Sequence, residues 1–120
     1  MAWRVKNLPR RIPRRLRHEA IHLDGFDPSE AAWSKEDALE VVASLQNTNV
    51  VIAEVTVVVR TPLNEFVADG SWVPEPSRGE LGTEYAARTQ RGAADFIAKH
   101  DAAGVDAVFA LRFPLRREAA

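Results

Sequence analysis

The chain has 120 residues, 46% of them hydrophobic, with no cysteine and a formal net charge of −1. This length suits a single domain with its own core, while the absence of thiols excludes disulfides, thiolate zinc sites and cysteine redox catalysis. No segment approaches the roughly 20 apolar residues of a membrane helix, and residues 1–20 lack the apolar stretch of a signal peptide, so we expect a cytoplasmic protein that does not bind a membrane.

The charge is distributed asymmetrically along the chain. Seven Lys and Arg residues lie among the first 18 residues without an acidic residue, whereas residues 19–111 hold six Lys and Arg against sixteen Asp and Glu, a formal charge of −10. We interpret residues 1–15 as a basic, proline-containing arm and residues 16–120 as a single domain. The arm could bind phosphates, but the interpretation we favour is a solvated leader that compensates an acidic body.

The first helix is predicted to begin at Pro13, which suits the first helical position, and to run to about Asp24, with Gly25 as its stop. Within it, residues 18–22 match the H-E-x-x-H pattern, in which His18 and His22 would hold zinc and Glu19 would act as general base.

Two observations weigh against a zinc site in this helix. The apolar residues of the helix lie on the side opposite both histidines, which would then face solvent and not a closed cleft. The third ligand of the extended pattern is also missing, because its expected position is Pro28. A zinc-dependent peptidase therefore stays an alternative function, adventitious metal binding stays open, and we expect no resident metal and no other cofactor.

A second helix is predicted from the capping residue Ser34, with Asp37 three residues later, and it should end near Asn47. Its apolar face is formed by Ala38, Leu39, Val41, Val42 and Leu45.

The middle of the chain favours strands. Residues 50–60 are rich in β-branched side chains and predict a long strand. A turn at 61–64, a short strand at 65–68, a second turn at Asp69-Gly70 and a strand at 71–73 should follow it.

A long helix should open near Ser77 or Thr83, run through His100 and close at Gly104. One stripe of this helix comprises Tyr85, Thr89, Gly92, Ala93, Phe96 and His100, and we expect Tyr85, Ala93 and Phe96 to build the core. A last strand alternates from Val105 to Phe113. Together the elements predict an α+β domain with a mainly antiparallel sheet of three or four strands packed with two or three helices.

No other segment has a catalytic pattern. The serines lack the surroundings of a nucleophile elbow, and Gly70, Gly79 and Gly82 are too scattered for a phosphate-binding loop. His100 lies on the apolar stripe, where a core or boundary role is the commoner one. We therefore predict no catalytic residues and a protein that is not an enzyme.

An ordered series of features lies between about Leu16 and Phe113. They are Gly25 after a first helix, Glu36-Asp37-Ala38-Leu39 opening the second, an apolar strand from Val50, Trp72 after an acidic turn, the helix with Tyr85, Thr89, Ala93, Asp95, Phe96 and Ile97, and the strand from Val108 to Phe113. In this order the chain resembles the immunity protein 40 family of bacterial polymorphic toxin systems. The resemblance implies a small α+β protein that binds and neutralises a cognate toxin domain in the cytoplasm of the producing cell, without a cofactor. The chain departs from the family pattern in its first long strand, where a Gly-Gly-Asp-like step of small residues and an acid is expected and this sequence has Ala53-Glu54-Val55.

Partner binding is predicted at the acidic strands and turns before the long helix. Glu65, Asp69 and Glu75 would attract a basic partner, and Trp72 is of the residue type that anchors interfaces. In the alternative interpretation Trp72 belongs to the core and the acids solvate turns, and Trp33 has the same two interpretations. The expected partner is a toxin domain; a homodimer through the valine-rich strand at a sheet edge is a further possibility, and nucleic-acid binding through the basic arm is the other alternative function.

Overall fold

The structure, a computed structural model, describes residues 8–21, 30–75, 77, 79–100 and 107–114. These residues form three helices, α1 (Arg14–Glu19), α2 (Lys35–Ser44) and α3 (Gly82–Lys99), and four strands, β1 (Glu30–Trp33), β2 (Glu54–Arg60), β3 (Phe66–Trp72) and β4 (Ala107–Arg112). The strands make one antiparallel sheet in the order β1-β4-β2-β3. The predicted α+β class is therefore confirmed. None of the described helices is long and apolar enough to cross a membrane.

The main core lies between the helices and one face of the sheet. Side chains alternate between the two faces of a strand, so Val55 and Val57 of β2 share the helix-covered face. Its fully buried large side chains include Ile12, Leu16, Trp33, Val41, Leu45, Ile52, Ile97, Phe109 and Leu111. The buried Trp33 donates its Nε1 hydrogen to the Leu16 carbonyl at 2.7 Å, so its place is in the core. Ile12, within the predicted arm, is also buried; the boundary between arm and domain stays a prediction.

The opposite face of the sheet holds a smaller cluster. Ala32, Val58 and Ala110 are buried there, with Phe66 and Val108 half-buried beside them. All four strands contribute to this cluster. Its members are small or β-branched except Phe66. The sheet is therefore apolar on both faces at its centre, although only one face carries helices among the described residues.

α1 ends earlier than predicted. It begins directly after Pro13 but stops at Glu19, because Ala20 is extended, with φ −61° and ψ 133°. The next residue, Ile21, exchanges backbone hydrogen bonds with Ala32 at 2.8 and 3.0 Å. Pairing with a distant strand thus replaces the helical bonds expected for this segment, while the predicted end at Asp24 and the stop at Gly25 lie outside the described residues.

α2 follows its prediction at the N-terminus. The Ser34 hydroxyl accepts a hydrogen bond from the Asp37 N–H at 3.3 Å, which satisfies one of the free N–H groups of the first turn. The helix ends at Ser44, and Asn47 has a left-handed φ of 65°. The short strand β1 immediately before α2 is absent from the sequence prediction, because its four residues include two alanines, which have weak strand propensity.

β2 begins at Glu54 and not at Val50, because two polar side chains of α3 bind the backbone before it. The Ile52 N–H donates to Thr89 Oγ1 at 3.1 Å, and Gln90 Nε2 donates to the Val50 carbonyl at 2.8 Å. These groups are consequently not available to a neighbouring strand.

β2 is also an interior strand of the sheet, with β4 on one side and β3 on the other. The prediction that the valine-rich strand could lie at a sheet edge is therefore wrong. The edges are formed by β1 and β3.

β3 is one strand where two strands and a turn were predicted. Between the pairs Thr56↔Ser71 and Val58↔Ala68, three steps along β3 face two steps along β2, which is a β-bulge. Gly70 adopts a φ of 140° there, a backbone angle that glycine tolerates best. The turn signal at Asp69-Gly70 therefore marks a bulge, whereas the turn predicted at 61–64 is confirmed by the hydrogen bond from Asn64 N to Thr61 O at 2.9 Å.

α3 begins at Gly82 and ends at Lys99, with His100 as its cap; Gly104 and Val105 lie outside the described residues. Its buried residues are Ala86, Thr89, Gln90, Ala93 and Ile97. Tyr85 and Phe96, which the stripe placed in the core, are only half-buried. The core face shares Thr89 and Ala93 with the predicted stripe but is rotated from it, because Gln90 takes an interior position by binding the backbone before β2.

Candidate functional site

The four residues predicted to bind a partner lie on or beside β3, an edge strand of the sheet. Glu65 precedes the strand, Asp69 lies in the bulge, Trp72 is the last residue of the strand and Glu75 follows it. The three acids are exposed and Trp72 is half-buried. Strand residues rise about 3.3 Å each, so the acids form a row and not one cluster. We call residues 65–75 the β3 edge.

Trp72 rests on α3 at Gly92. A methyl group built at Gly92 would overlap Cζ2 of the Trp72 indole and lie only 2.9 Å from its Cη2. The close approach therefore requires glycine at this position of the helix. One side of the indole packs against the main core, while the residue also lines a shallow groove with Asp95, Phe96, Lys99 and His100.

His100 closes this groove at the end of α3. Its ring lies edge-on to Phe109 with centroids 5.7 Å apart, and its carbonyl accepts a hydrogen bond from Lys35 Nζ at 2.9 Å. The residue is half-buried, and both contacts join α3 to other elements. Its observed contacts are thus those of a boundary residue.

Ion pairs engage many acids elsewhere on the molecule. They join Arg15 to Asp37 and Glu40, Arg88 to Glu80, Lys99 to Asp95 and Arg112 to Glu54, at 2.6 to 3.5 Å. Within the described part of the chain, no such pair involves Glu65, Asp69 or Glu75. Glu19, Glu36 and Glu84, on the three helices, are likewise outside these pairs. The three carboxylates of the β3 edge consequently have no ion-pair partner among those residues.

Arg88 fixes the segment that leaves the β3 edge. It donates to Glu80 through Nε and Nη2, both at 2.9 Å, and Nη2 also donates to the Glu75 carbonyl at 2.5 Å. Its guanidinium lies 5.3 Å from the centroid of the Tyr85 ring. The hydrogen bond from Arg88 lowers the pKa of Glu80 to about 2, which keeps that carboxylate ionised. The backbone of Glu75 is therefore tied to α3 while its own carboxylate stays exposed.

Three exposed apolar residues accompany the acids, and the sequence prediction did not include them. Leu63 is 80% exposed, Val67 45% and Val73 56%. The signal was present in the sequence, since the odd positions 63 to 75 are Leu, Glu, Val, Asp, Ser, Val and Glu. All seven are exposed, so this part of the surface combines acidic with apolar side chains.

The histidine pattern of α1 does not form a helical zinc site in the described residues. His18 is exposed, as predicted, and α1 ends one residue later at Glu19; His22 lies outside the described residues. A zinc motif of this kind needs its histidines one turn apart on a continuous helix. In the parts of the chain that the structure describes, no three His, Asp or Glu side chains come together as metal ligands.

Two arginines of the basic N-terminal region are engaged within the protein. Arg15 pairs with Asp37 and Glu40 of α2, and Arg17 donates to the carbonyls of Ile12 and Pro9. Residues 1–7 lie outside the described residues. Arg15 and Arg17 therefore contribute to tertiary structure.

One comparison with known proteins gives a match. A family model described as Immunity protein 40 matches residues 22–113, which include all four strands, α2, α3 and the β3 edge, and exclude the predicted arm. No curated protein and no solved structure matches the chain.

Proposed function

The chain belongs to the immunity protein 40 family, and from this membership we propose that it binds a cognate toxin domain and neutralises it in the cytoplasm of the producing cell. The observation that supports this most strongly is the family match over residues 22–113. Neutralisation by binding requires no catalytic residue and no cofactor. The protein acts by covering the active site of the toxin domain or the surface by which it reaches its substrate.

The β3 edge is the surface we assign to this contact. Its carboxylates at Glu65, Asp69 and Glu75 are exposed and lie outside the ion pairs of the described residues. Complementary charge raises the association rate of two proteins by steering their encounter. Rapid capture suits an immunity protein, because a free toxin domain acts on its own cell until it is bound.

Trp72 supplies an aromatic side chain at one end of the same surface. Tryptophan is enriched among the residues that dominate binding energy, especially where it sits in a packed position surrounded by other contacts. The close packing on Gly92 holds the indole in one place, so little conformational entropy is lost when a partner covers it. We propose Trp72 as the apolar anchor and the three acids as the charged part of one interface.

Co-expression tests the proposal. The toxin domain encoded immediately upstream of this chain should arrest growth when expressed alone, and co-expression of the chain should restore growth. Failure of rescue, with both proteins folded and expressed, would refute the proposed function.

Charge variants then test the assigned surface. A triple variant with Glu65→Gln, Asp69→Asn and Glu75→Gln should associate with the toxin domain at least about tenfold more slowly at low salt. The matched control changes Glu19, Glu36 and Glu84, which also lie outside the ion pairs, to Gln and alters the net charge equally. Equal slowing by both triples would show that overall charge, and not the β3 edge, steers the encounter.

A further inference from the structure

We propose that the outer edge of β3 receives an extended, basic strand of the toxin domain, which adds a fifth strand to the sheet. This inference rests on the proposed function and specifies the mode of binding. Peptide segments are commonly recognised by addition to a sheet edge, where main-chain hydrogen bonds give affinity and alternate side chains give specificity.

The two edges of the sheet differ in how far they are occupied. On β1, Ala32 exchanges hydrogen bonds with Ile21 at 2.8 and 3.0 Å, so its outer side already has a partner. On the outer side of β3, none of the described residues supplies a backbone or side-chain hydrogen bond. Unpaired strand edges readily pair with another chain, and within the described part of the chain β3 is therefore the open edge of the sheet.

The register identifies the groups that an incoming strand would bind. Thr61 N donates to Glu65 O at 2.7 Å, so these two residues form a hydrogen-bonded pair that continues the β2–β3 ladder. Bonded and non-bonded pairs alternate in an antiparallel ladder, and the pairs Arg60↔Phe66 and Val58↔Ala68 are consequently non-bonded. The N–H and C=O groups of Phe66 and Ala68 thus point away from β2 toward the open edge.

The side chains along this edge favour a basic partner with apolar positions. Val67 pairs with Val59, which packs against the main core, so Val67 lies on the helix-covered side of the sheet, yet it is 45% exposed. Glu65 and Asp69 lie two residues away on either side of it. An incoming strand with Lys or Arg opposite these carboxylates gains cross-strand attraction, and an apolar side chain opposite Val67 covers exposed apolar surface.

A second copy of this chain fits the edge poorly. Antiparallel pairing of two β3 strands through Phe66 and Ala68 centres on Val67 and brings Glu65 of one copy opposite Asp69 of the other. Like charges at facing positions destabilise a pair of strands, and the bulge at Asp69-Gly70 further limits pairing of long edges. The same acids that repel a second copy attract a basic strand.

The test measures backbone amide exchange and two variants in the full-length protein with the toxin domain. In the free protein the amides of Phe66 and Ala68 should exchange rapidly, and in the complex their exchange should slow at least about tenfold. Ala68→Pro removes the outward N–H at a position where an edge strand tolerates proline. It should weaken binding about tenfold to a hundredfold, while Ala68→Val, which keeps the N–H, should bind within about threefold of the wild type.

The outcomes separate this inference from the proposed function. If the toxin domain is bound and neutralised while both amides exchange as in the free protein, strand addition is refuted and the proposed function stands. Concentration-dependent protection of these amides in the free protein would instead identify a second copy as the occupant and overturn the inference. If Ala68→Pro does not fold, the exchange measurement on the wild-type complex decides alone. Absence of any binding would refute the proposed function and this inference together.

Discussion

Gly92→Ala tests whether the close packing of Trp72 on α3 organises the end of the β3 edge. The added methyl group would overlap Cζ2 of the indole and lie 2.9 and 3.2 Å from Cη2 and Cε2, where ordinary van der Waals contacts span 3.4–4 Å. Because the indole is rigid, the ring as a whole must withdraw by about 1 Å or α3 must shift. We expect the ring to tilt away from the helix and expose more of its surface.

The expected loss of stability is the difference between two effects. Overpacking costs about 1–3 kcal/mol, whereas replacing glycine by alanine within a helix gains about 1 kcal/mol. We therefore expect a net destabilisation of about 1 kcal/mol. For a protein of 120 residues this corresponds to a fall in Tm of about 4 °C.

Two measurements check this prediction. Urea unfolding gives the change in stability, and ¹⁹F NMR of protein labelled with fluorotryptophan follows the environment of each indole. The Trp72 signal should move, while that of Trp33, which is buried and hydrogen-bonded to Leu16, should stay. The matched control is Gly82→Ala, at the first position of α3, where an added methyl group meets nothing within 4 Å. If Gly92→Ala were as stable as Gly82→Ala and its Trp72 signal did not move, the packing argument would be wrong.

Two further predictions concern groups that hold α3 in place. Thr89→Val should lower the free energy of unfolding by about 1–3 kcal/mol, because the buried N–H of Ile52 loses its acceptor. Thr89→Ser keeps the hydroxyl and should cost less in urea unfolding; equal losses in the two variants would contradict this assignment. For Glu80, hydrogen bonding to Arg88 lowers the pKa from 4.5 to about 2, so its stabilising contribution is complete above about pH 4.5 and is lost as the pH falls through about 2. The Tm measured by thermal unfolding should therefore fall less steeply between pH 5 and pH 2 for Glu80→Gln than for the wild type. Parallel curves of Tm against pH would rule out a contribution from this pair.

Local signals in the sequence were sufficient for elements whose ends depend on nearby residues. Ser34 predicted the N-terminus of α2 because a hydroxyl caps a helix within three residues of itself. The β-branched residues of β2 predicted a strand in the same way. By contrast, α1 ends where Ile21 pairs with Ala32. β2 begins only after the residues whose backbone is bound by the side chains of Thr89 and Gln90. Those limits depend on residues far away in the chain, which periodicity cannot reveal.

The candidate site, too, could be predicted from the sequence only in part. The acidic residues Glu65, Asp69 and Glu75 and the aromatic Trp72 were identifiable by residue type, whereas the turn signal at Asp69-Gly70 marks a bulge within one strand. Their arrangement along an edge strand was not predictable, because it depends on β4 pairing with β2 on the other side. The bond from Arg88 to Glu80 was missed because it joins α3 to the segment before it.

The position of β4 determines when this protein can fold during its synthesis. β4 is the last strand of the sheet in chain order, yet it lies between β1 and β2, and β1 pairs with no other strand of the described sheet. A ribosome-bound chain that has reached α3 can therefore form the β2–β3 hairpin but cannot attach β1. At about 5–20 residues per second, completion of the sheet waits until residues 107–112 have left the ribosome. A nascent chain consequently has an incomplete sheet until nearly all of the matched region has left the ribosome.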